Sequence, residues 1–339
     1  MHIGLTYDLR DQYLAAGHSE EDTAEFDRPE TIDAIEHTLQ ALGHQTDRIG
    51  QVRTLVGRLA CGDRWDLVFN ISAGLSGPGR EAQIPAVLEA YDIPCTFSDA
   101  SVMAVCLNKS MTKHVVRGAS LPTPRSVVIR CSDDLDTQPA VEALRFPLFV
   151  KPIAEGSGKG ISSTSRVSHR DELRSVCQQL LKRFHQPVLV EEFLPGRELA
   201  VGLLGTGPEA RVLGTLEIVL SDEAEPDAVT YLNRERGAEM VEYRLVSAET
   251  DHEVRKAEEI ALAAWQSLGC RDAGVIDLRS DAKGCPQFLE ANPLAGLDPS
   301  RSGLPLLATA LQMTYRQLIQ QLINSAAKRC TAAHQKQCR

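Results

Sequence analysis

A glycine-rich stretch directly after an apolar segment is the first place in this chain where chemistry can be expected. The sequence VKPIAEGSGKGISS, residues 150–163, carries Gly156, Gly158 and Gly160 close together. Glycine lets backbone N–H groups converge without a side chain in the way, so such a loop can bind an anion or reverse the chain. Taken alone, the stretch slightly favours a turn over a phosphate site.

Two lysines in otherwise apolar surroundings are the next candidates for binding an anion. Lys109 lies in CLNKSMTK, and Lys151 comes directly before the glycine loop. A lysine removed from water needs a compensating negative charge. The phosphates of ATP would supply it. The alternative for either lysine alone is a solvated surface charge.

Three oxygen-bearing side chains late in the chain suit a hard cation. Asp277 lies before a turn, and Glu290 and Asn292 lie after it. Alternation along a strand puts Glu290 and Asn292 on one face, and hairpin pairing can bring Asp277 opposite them. Magnesium binds a few such oxygens and completes its shell with phosphate and water. The pattern therefore predicts a magnesium site, with a solvent-exposed hairpin face as the alternative.

Two glutamates flank a short turn after a very apolar strand. Glu191 and Glu198 lie in VLVEEFLPGREL. Carboxylates at this place can accept hydrogen bonds from an adenine amino group and from ribose hydroxyls. Without the other motifs, both would be interpreted as surface acids.

Composition limits the kinds of protein that can carry these residues. A chain of 339 residues is long enough for about two or three domains with a sizeable core. The net charge of −10 argues against binding nucleic acid through its phosphate backbone. No apolar run approaches the roughly 20 residues of a membrane helix, and Asp8 interrupts what would be a signal peptide. The nine cysteines show no disulfide or zinc spacing, so we expect a cytoplasmic protein.

The first hundred residues must position the N-terminal side of any such site. HIGLTYDL and WDLVFNIS are predicted strands, and PETIDAIEHTLQALGH between them is a predicted helix that starts at a proline and ends at Gly43. EAQIPAVLEAYDIPCTFS repeats the order of helix and strand. Residues 1–100 are therefore predicted to form an α/β domain with an open parallel sheet.

The sequence pattern after residue 100 predicts two α+β units. Residues 101–190 contain one helical segment, a proline break, a strand, the glycine loop and the amphipathic helix RDELRSVCQQLLKRF. PVLVEEFL, RELAVGLLG and ARVLGTLEIVL are three strand candidates in succession and suggest an antiparallel sheet. The second unit is placed at residues 191–325.

Three further features belong to the C-terminal part. Residues 221–245 are polar with weak periodicity and predict a long mobile loop, of the kind that often forms a lid. After a helix, residues 273–292 predict a hairpin that turns at 281–284 and is followed by a closing helix. Residues 326–339 predict a polar tail.

Together these segments resemble the ATP-grasp superfamily, and within it the D-alanine–D-alanine ligase-like enzymes. The similar segments are NKSMTK, VKPIAEGSGKGIS, VEEFLPGREL, LGCRDAGVIDLR and FLEANPLAGLDPSRSGLP. They occur in the family's order and cover nearly the whole chain. The resemblance implies a three-domain ATP-grasp fold of the α/β and α+β classes, with the nucleotide between two α+β domains. It also implies that the glycine loop closes over ATP phosphates.

The resemblance also implies a mechanism. A substrate carboxylate attacks the γ-phosphoryl group to give an acyl phosphate and ADP, and an amine then attacks the acyl carbon and releases phosphate. Such chemistry depends on positioning and charge neutralisation, so it needs no protein nucleophile. The implied cofactors are ATP and Mg²⁺, and the implied partners are small-molecule substrates, with a possible homodimer.

By the same resemblance, individual residues receive roles. Asp277, Glu290 and Asn292 would hold magnesium, and Ser157 and Ser302 match family positions near the substrates. The nucleotide candidates are Lys109, Lys151, Glu155, Gly156, Ser157, Gly158, Gly160, Glu191, Glu192, Leu194 and Glu198.

One departure from the family concerns the reacting acyl group. D-Alanine ligases have an arginine two residues before the metal aspartate, and this chain has Val275 there. Valine can neither donate a hydrogen bond nor offset charge. Arg279 and Arg301 are the candidates to replace this arginine.

Other departures concern the lid and the acceptor substrate. The family's lid lysine has no match in YLNRERGAEMVEYR, so Arg234 or Arg236 are the candidates for phosphate contact, although arginine differs in geometry from a lysine point charge. Glu25, Asn70 and Arg80 are candidates to line the substrate pocket, Arg80 because its fork can bind both oxygens of a carboxylate.

These departures leave the ATP half intact and change the acceptor half. The main hypothesis is an ADP-forming carboxylate–amine ligase whose substrates are not, or not only, two D-alanines. The first alternative is a non-catalytic ATP-binding or regulatory protein. A second alternative is a ligase acting on a carboxylate that is not an amino acid.

Overall fold

The structure is a computed structural model that describes residues 1–337, with the backbone alone for Ala238 and residues 330–337. Its first sheet is parallel, as the sequence predicts, and has three strands in the order β2-β1-β3, of which β2 was not predicted. The strands are β1 (His2–Thr6), β2 (Gln45–Gly50) and β3 (Leu67–Asn70); the helices are α1 (Arg10–Ala15), α2 (Pro29–Ala41), α3 (Val52–Ala60) and α4 (Gln83–Ala90).

The third predicted strand of this domain, which follows α4, is not formed. After α4 the chain makes only an isolated parallel bridge between Val68 and Cys95. Pro94 has no N–H to donate to a ladder, and Phe97 has a φ of +67°, so the extended segment cannot be longer.

The helix predicted after residue 100 is two helices, α5 (Ala100–Leu107) and α6 (Lys109–Gly118). Asn108 separates them and caps α6, because its Oδ1 accepts a hydrogen bond from Met111 N at 3.1 Å. Both helices contribute to the apolar core of the C-terminal sheet, together with Trp265. Val102, Cys106 and Val116 lie in this core, whereas Leu107 packs with Ile153 and Ala154 beside the central sheet.

The central unit is a four-stranded antiparallel sheet in the order β4-β7-β5-β6. Its strands are β4 (Ser126–Ile129), β5 (Leu148–Pro152), β6 (Arg166–Val167) and β7 (Val188–Glu192); its helices are α7 (Asp134–Thr137), α8 (Pro139–Glu142) and α9 (Arg170–Phe184). β7 extends two residues past the predicted boundary at 190. The three successive strand candidates are therefore divided between two sheets.

The C-terminal unit is a five-stranded antiparallel sheet in the order β10-β9-β8-β11-β12. Its strands are β8 (Glu198–Leu204), β9 (Arg211–Leu220), β10 (Val241–Val246), β11 (Ala273–Ser280) and β12 (Pro286–Asn292); its helices are α10 (Tyr231–Arg236), α11 (His252–Leu268), α12 (Gly303–Ala310) and α13 (Tyr315–Gln337). α11 packs on one face through Trp265. The other face, partly covered by α12, is turned toward the central unit.

The segment 221–245, predicted as a long mobile loop, is largely ordered. It contains α10, a 3₁₀ turn at Gly237–Glu239 and the start of β10, which pairs with β9. Val229, Met240 and Val241 form a small buried cluster against Ile218. The prediction is wrong here because these few apolar contacts join residues that are distant in the sequence.

The predicted polar tail is also wrong for most of its length. α13 runs to Gln337, with Ala326 fully buried. Arg329 forms an ion pair with the buried Asp272 at 2.5 Å. Residues 338–339 lie outside the described residues. Among residues 1–337, no helix is long and apolar enough to cross a membrane.

Candidate active site

A cavity of about 830 Å³ lies where the three units meet. It is bounded by the glycine loop, β5, β7, the β11–β12 hairpin, the segment after β12 and the N-terminal loop. The sequence-predicted residues that line it are Glu25, Lys109, Lys151, Glu155, Gly156, Ser157, Gly158, Glu191, Glu192, Leu194, Glu198, Arg234, Asp277, Arg279, Glu290, Asn292, Arg301 and Ser302. Four predicted residues do not line it: Asn70, Arg80, Gly160 and Arg236.

A buried carboxylate between two lysines forms one wall. The Glu191 carboxylate lies 2.7 Å from Lys151 Nζ and 2.9 Å from Lys113 Nζ. Burial by itself would raise the pKa of Glu191, but the two lysines outweigh it and hold the pKa at about 2. Because Glu191 is only 2% exposed, its charge fixes the position of Lys151 at the cavity wall.

Lys109 joins the glycine loop to the hairpin. It begins α6, and its Nζ lies 3.2 Å from Glu290 Oε2 and donates to the Glu155 backbone oxygen at 2.5 Å. Lys109 and Lys151 thus bring two positive charges to one cavity from elements far apart in the chain. Each has a carboxylate partner, so the protein offsets the desolvation of both lysines.

The predicted metal ligands lie together on the hairpin. Asp277 pairs directly with Glu290 across β11 and β12, as the spacing predicts. Asn292 Nδ2 donates to Asp277 Oδ2 at 2.8 Å. Burial, together with the carboxylates of Glu290 and Glu198, raises the pKa of Asp277 to about 7.

This crowding of carboxylates fits a cation. A divalent ion would offset the repulsion that raises the pKa of Asp277, and carboxylate and amide oxygens are the donors that magnesium prefers. Among the side chains that the structure describes, no group of three or more from His, Cys, Asp or Glu could hold a metal ion by itself. A magnesium ion here would therefore depend on Asn292, water and phosphate oxygens for the rest of its shell.

The glycine loop is closed over the cavity against the N-terminal domain. Gly156 N donates to Glu25 Oε1 at 2.7 Å, and Lys159 Nζ lies 2.9 Å from the same oxygen. Gly158 has a φ of +74°, and a Cβ there would lie 2.8 Å from the Thr230 carbonyl carbon. The loop therefore packs tightly against both the N-terminal loop and the segment before α10.

Arg80 and Asn70 do not have the predicted substrate position. Arg80 donates to the Ala154 backbone oxygen at 2.7 Å and to Glu25 Oε2 at 2.6 Å, so its fork is used inside the protein. Asn70 is fully buried and accepts a hydrogen bond from Thr6 Oγ1 at 2.9 Å. Arg80 therefore connects the N-terminal domain to the segment before the glycine loop, and Asn70 lies inside that domain.

The arginines proposed to replace the family's arginine lie at different places. Arg279 donates to the Gly196 backbone oxygen at 3.2 Å, lies 3.3 Å from Glu198 and covers the Phe193 ring at 5.1 Å. It is therefore on the far side of Asp277 from Val275. Arg301 is exposed at the other end of the cavity.

The remaining predicted residues are placed as follows. Ser302 Oγ accepts a hydrogen bond from Asp298 N at 3.1 Å, at the start of α12. Arg234 lines the cavity from α10, whereas Arg236 does not. Gly160 is outside the cavity because its Cα packs against the Pro152 and Phe184 side chains.

Two lysines near the site are absent from the sequence predictions. Lys113 is fully buried, and burial lowers its pKa to about 8 despite the nearby Glu191. Lys159 lies 2.5 Å from Glu155 Oε2 as well as near Glu25. Lys113 follows Lys109 by one helical turn, and this i, i+4 spacing is the signal that could have identified it.

Two sheets that face each other across a cavity lined by lysines and carboxylates beneath a glycine loop define the ATP-grasp class. Structural comparison confirms this fold. The chain matches the crystal structure of a D-alanine–D-alanine ligase from Bacillus anthracis in complex with ATP, with a TM-score of 0.76 and 20% sequence identity, over 98% of this chain and 99% of that one. It also matches VanG D-Ala:D-Ser ligase from Enterococcus faecalis, with a TM-score of 0.73 and 20% identity, over 96% of this chain and 99% of that one.

The chain belongs to the D-alanine–D-alanine ligase family. The family model of the D-Ala–D-Ala ligase C-terminus matches residues 115–324. The chain is 32% identical over 275 residues to a D-alanine–D-alanine ligase of Bordetella petrii, covering 81% of this chain and 79% of that protein. These relatives confirm the predicted family and the ligase class of the enzyme, which implies the use of ATP.

Proposed function

We propose that this protein joins the carboxylate of one small molecule to the amine of another with consumption of ATP, and that its substrates are not, or not only, two D-alanines. The observation that carries the proposal is the convergence of Lys109 and Lys151 with Asp277 and Glu290 on one cavity. Opposite charges arranged in this way can neutralise a triphosphate and its cation.

In this proposal the nucleotide lies between the central and C-terminal sheets. Lys109 and Lys151 neutralise phosphate oxygens, and the backbone of the closed glycine loop covers them. Glu191 orients Lys151, and Glu198 is available to a sugar hydroxyl. Magnesium, held by Asp277, Glu290 and Asn292, would supply charge neutralisation at the phosphates.

The proposed reaction balances in two steps. A substrate carboxylate oxygen forms a bond to the γ-phosphorus, and the bond to ADP breaks. The free amine of the second substrate then attacks the acyl carbon, inorganic phosphate leaves, and the amine gives up a proton. The residues of this chain position the reactants and exclude water; none forms a covalent bond with them.

The substrate half of the proposal depends on Val275. Val275 is the residue two positions before Asp277, on the same face of β11, and it cannot donate a hydrogen bond to a reacting acyl oxygen. Arg301 and Ser302 at the start of α12 are the proposed replacements for carboxylate recognition. Arg234 is the proposed phosphate contact of the lid. A cytoplasmic location and a homodimer remain predictions from the sequence.

The test is ADP and phosphate release by the purified protein with Mg-ATP, across D- and L-amino acids singly and in pairs, with mass spectrometry of the products. We expect turnover that depends on a particular pair and is lost in Lys151→Ala. Rapid formation of D-alanyl-D-alanine alone would contradict the substrate part of the proposal.

Val275 also favours a second candidate, an ATP-binding protein without turnover. If ATP binds with micromolar affinity and no amine or carboxylate stimulates ADP release, this candidate is supported. A ligase that uses a carboxylate other than an amino acid is distinguished by its product. The paired Asp277 and Glu290 argue for an active enzyme, since a protein that only binds nucleotide has little need of both.

A further inference from the structure

The cavity continues past the carboxylates along an apolar part of the C-terminal sheet. Ala200 on β8 pairs with Asp277 on one side and with Leu216 on β9 on the other. Val275 lies on the same face, two residues before Asp277 and therefore about 7 Å along the strand. Val275, Ala200 and Leu216 all line the cavity, so they form a continuous apolar wall beside the proposed metal site.

α12 closes the far end of this wall. The next residue on the face of β8 is Gly202, where a Cβ would lie 2.5 Å from Leu307 Cδ2 and 3.3 Å from Leu304 Cδ1. The absence of a side chain at Gly202 therefore lets α12 pack directly on the sheet. Leu294 and Leu304 also line the cavity, so the segment after β12 and α12 add apolar residues to those of the wall.

Charge is distributed unevenly around this pocket. In the described part of the chain, the face of β8, β9 and β11 between Asp277 and α12 carries no charged side chain. The nearest charged residues on the face are Asp277 and Glu198, while Arg301 and Asp298 lie at the other edge of the cavity. The strand neighbours of Val275 are Gly202 and Asn292, so a carboxylate placed against Val275 would lose its hydration without gaining a cationic partner.

We propose that this apolar wall is a side-chain subsite: one of the two substrates is an amino acid with a branched aliphatic or aromatic side chain, which lies on Val275, Ala200 and Leu216. This inference rests on the proposed ligase function and adds the substrate class. The α-carboxylate and amine of that substrate then point toward the charged edges of the pocket. Val275 determines specificity here because it presents an apolar contact beside Asp277 on the cavity wall.

The size of the effect follows from burial of the side chain. An apolar pocket discriminates by about 10- to 200-fold for each methylene that it can bury. Leucine and phenylalanine should therefore exceed alanine in kcat/KM by at least about tenfold when each is paired with the same second substrate. Aspartate and lysine should be poorer than alanine.

The first variant is Ala200→Leu, which fills the wall from its centre. We expect kcat/KM for the large apolar amino acids to fall at least about tenfold, with a smaller change for alanine or glycine. The control is Ala60→Leu, at an exposed position at the end of α3 in the N-terminal domain. In the control, the ratios of kcat/KM between the different amino acids should be the same as in the wild type.

A binding measurement separates this inference from the ligase proposal. Thermal unfolding is recorded with magnesium, a non-hydrolysable ATP analogue and each amino acid, because a ligand that binds the folded state raises Tm. Leucine or phenylalanine should raise Tm more than alanine in the wild type but not in Ala200→Leu. Turnover with no dependence on side-chain size would overturn the subsite and leave the ligase intact. If there is no turnover but binding depends on side-chain size, the ligase proposal is overturned and the subsite is supported. If neither turnover nor size-dependent binding is found, both proposals are overturned.

Discussion

The contact between Glu25 and the glycine loop makes a quantitative prediction about stability. Glu25 is buried between Arg80 Nη2 at 2.6 Å and Lys159 Nζ at 2.9 Å, and it accepts the Gly156 N–H. Glu25→Gln keeps the shape of the side chain and removes its charge. It therefore leaves Arg80 and Lys159 at the junction of the N-terminal domain and the loop with Glu155 as their remaining carboxylate, at 3.9 Å and 2.5 Å respectively.

The magnitude follows from the pKa of Glu25. Burial opposes ionisation, but Arg80 and Lys159 lower the pKa from 4.5 to about 2. At about 1.4 kcal/mol for each pKa unit, the ionised carboxylate stabilises the folded state by about 3 kcal/mol at pH 7. The same order of magnitude is expected when one partner of a buried ion pair is removed.

The stabilisation by the Glu25 charge should depend on pH in a definite direction. Because the folded pKa lies below the unfolded value, the stabilisation is fully present above pH 4.5 and is lost as the pH falls toward 2. The free energy of unfolding of the wild type should therefore exceed that of Glu25→Gln by about 3 kcal/mol at pH 7. This difference should become steadily smaller below pH 4.5.

The assay is urea denaturation of both proteins between pH 3 and pH 7, with Glu249→Gln as the control at an exposed glutamate. The control should match the wild type to within about 0.5 kcal/mol. A difference between Glu25→Gln and the wild type that stays constant down to pH 3, or is absent at pH 7, would refute the assigned role of the Glu25 charge.

Three further predictions concern single substitutions. Glu290→Gln should lower ADP release at saturating Mg-ATP by about 100-fold or more, because a proposed magnesium ligand is lost; a change below about threefold would contradict this role. Gly158→Ala adds a Cβ 2.8 Å from the Thr230 carbonyl carbon at a φ of +74°, so proteolysis within the glycine loop should become faster, whereas unchanged cleavage would show that the contact is not needed for closure. Arg329→Met removes the cationic partner of the buried Asp272 and should lower the free energy of unfolding by about 3 kcal/mol, with α13 losing protection from hydrogen exchange.

Local patterns explain why much of the fold could be predicted. α2 begins at Pro29 and buries Ile32, Ile35 and Leu39, and these positions are visible as helical periodicity. The β11–β12 hairpin places Asp277 opposite Glu290, a register that alternation and the turn together define. Errors occurred where a residue's partners are distant in sequence: β10 pairs with β9 across the predicted lid, and α13 continues because Ala326 is buried in the core that also contains β1.

The candidate site also has features that the sequence predicts and features that depend on distant parts of the chain. The sequence predicted Lys109, Lys151, Glu191, Asp277 and Glu290 as site residues, and all five line one cavity in the structure. Such groups are recognisable because phosphate and magnesium chemistry require particular side chains at fixed positions on strands and loops.

Only the tertiary structure decided which charged side chains pair with each other and which apolar residues lie next to them. Arg80 is a promising carboxylate ligand in the sequence, but packing brings Glu25 and Ala154 to its guanidinium and removes it from the cavity. In the sequence, Val275 is notable because it stands where the family that the chain resembles has an arginine. In the structure, Val275 is part of an apolar wall. The sequence determined the chemistry that each side chain can perform. Tertiary packing determined which partner each one meets, because desolvation and pairing depend on neighbours that lie far away along the chain.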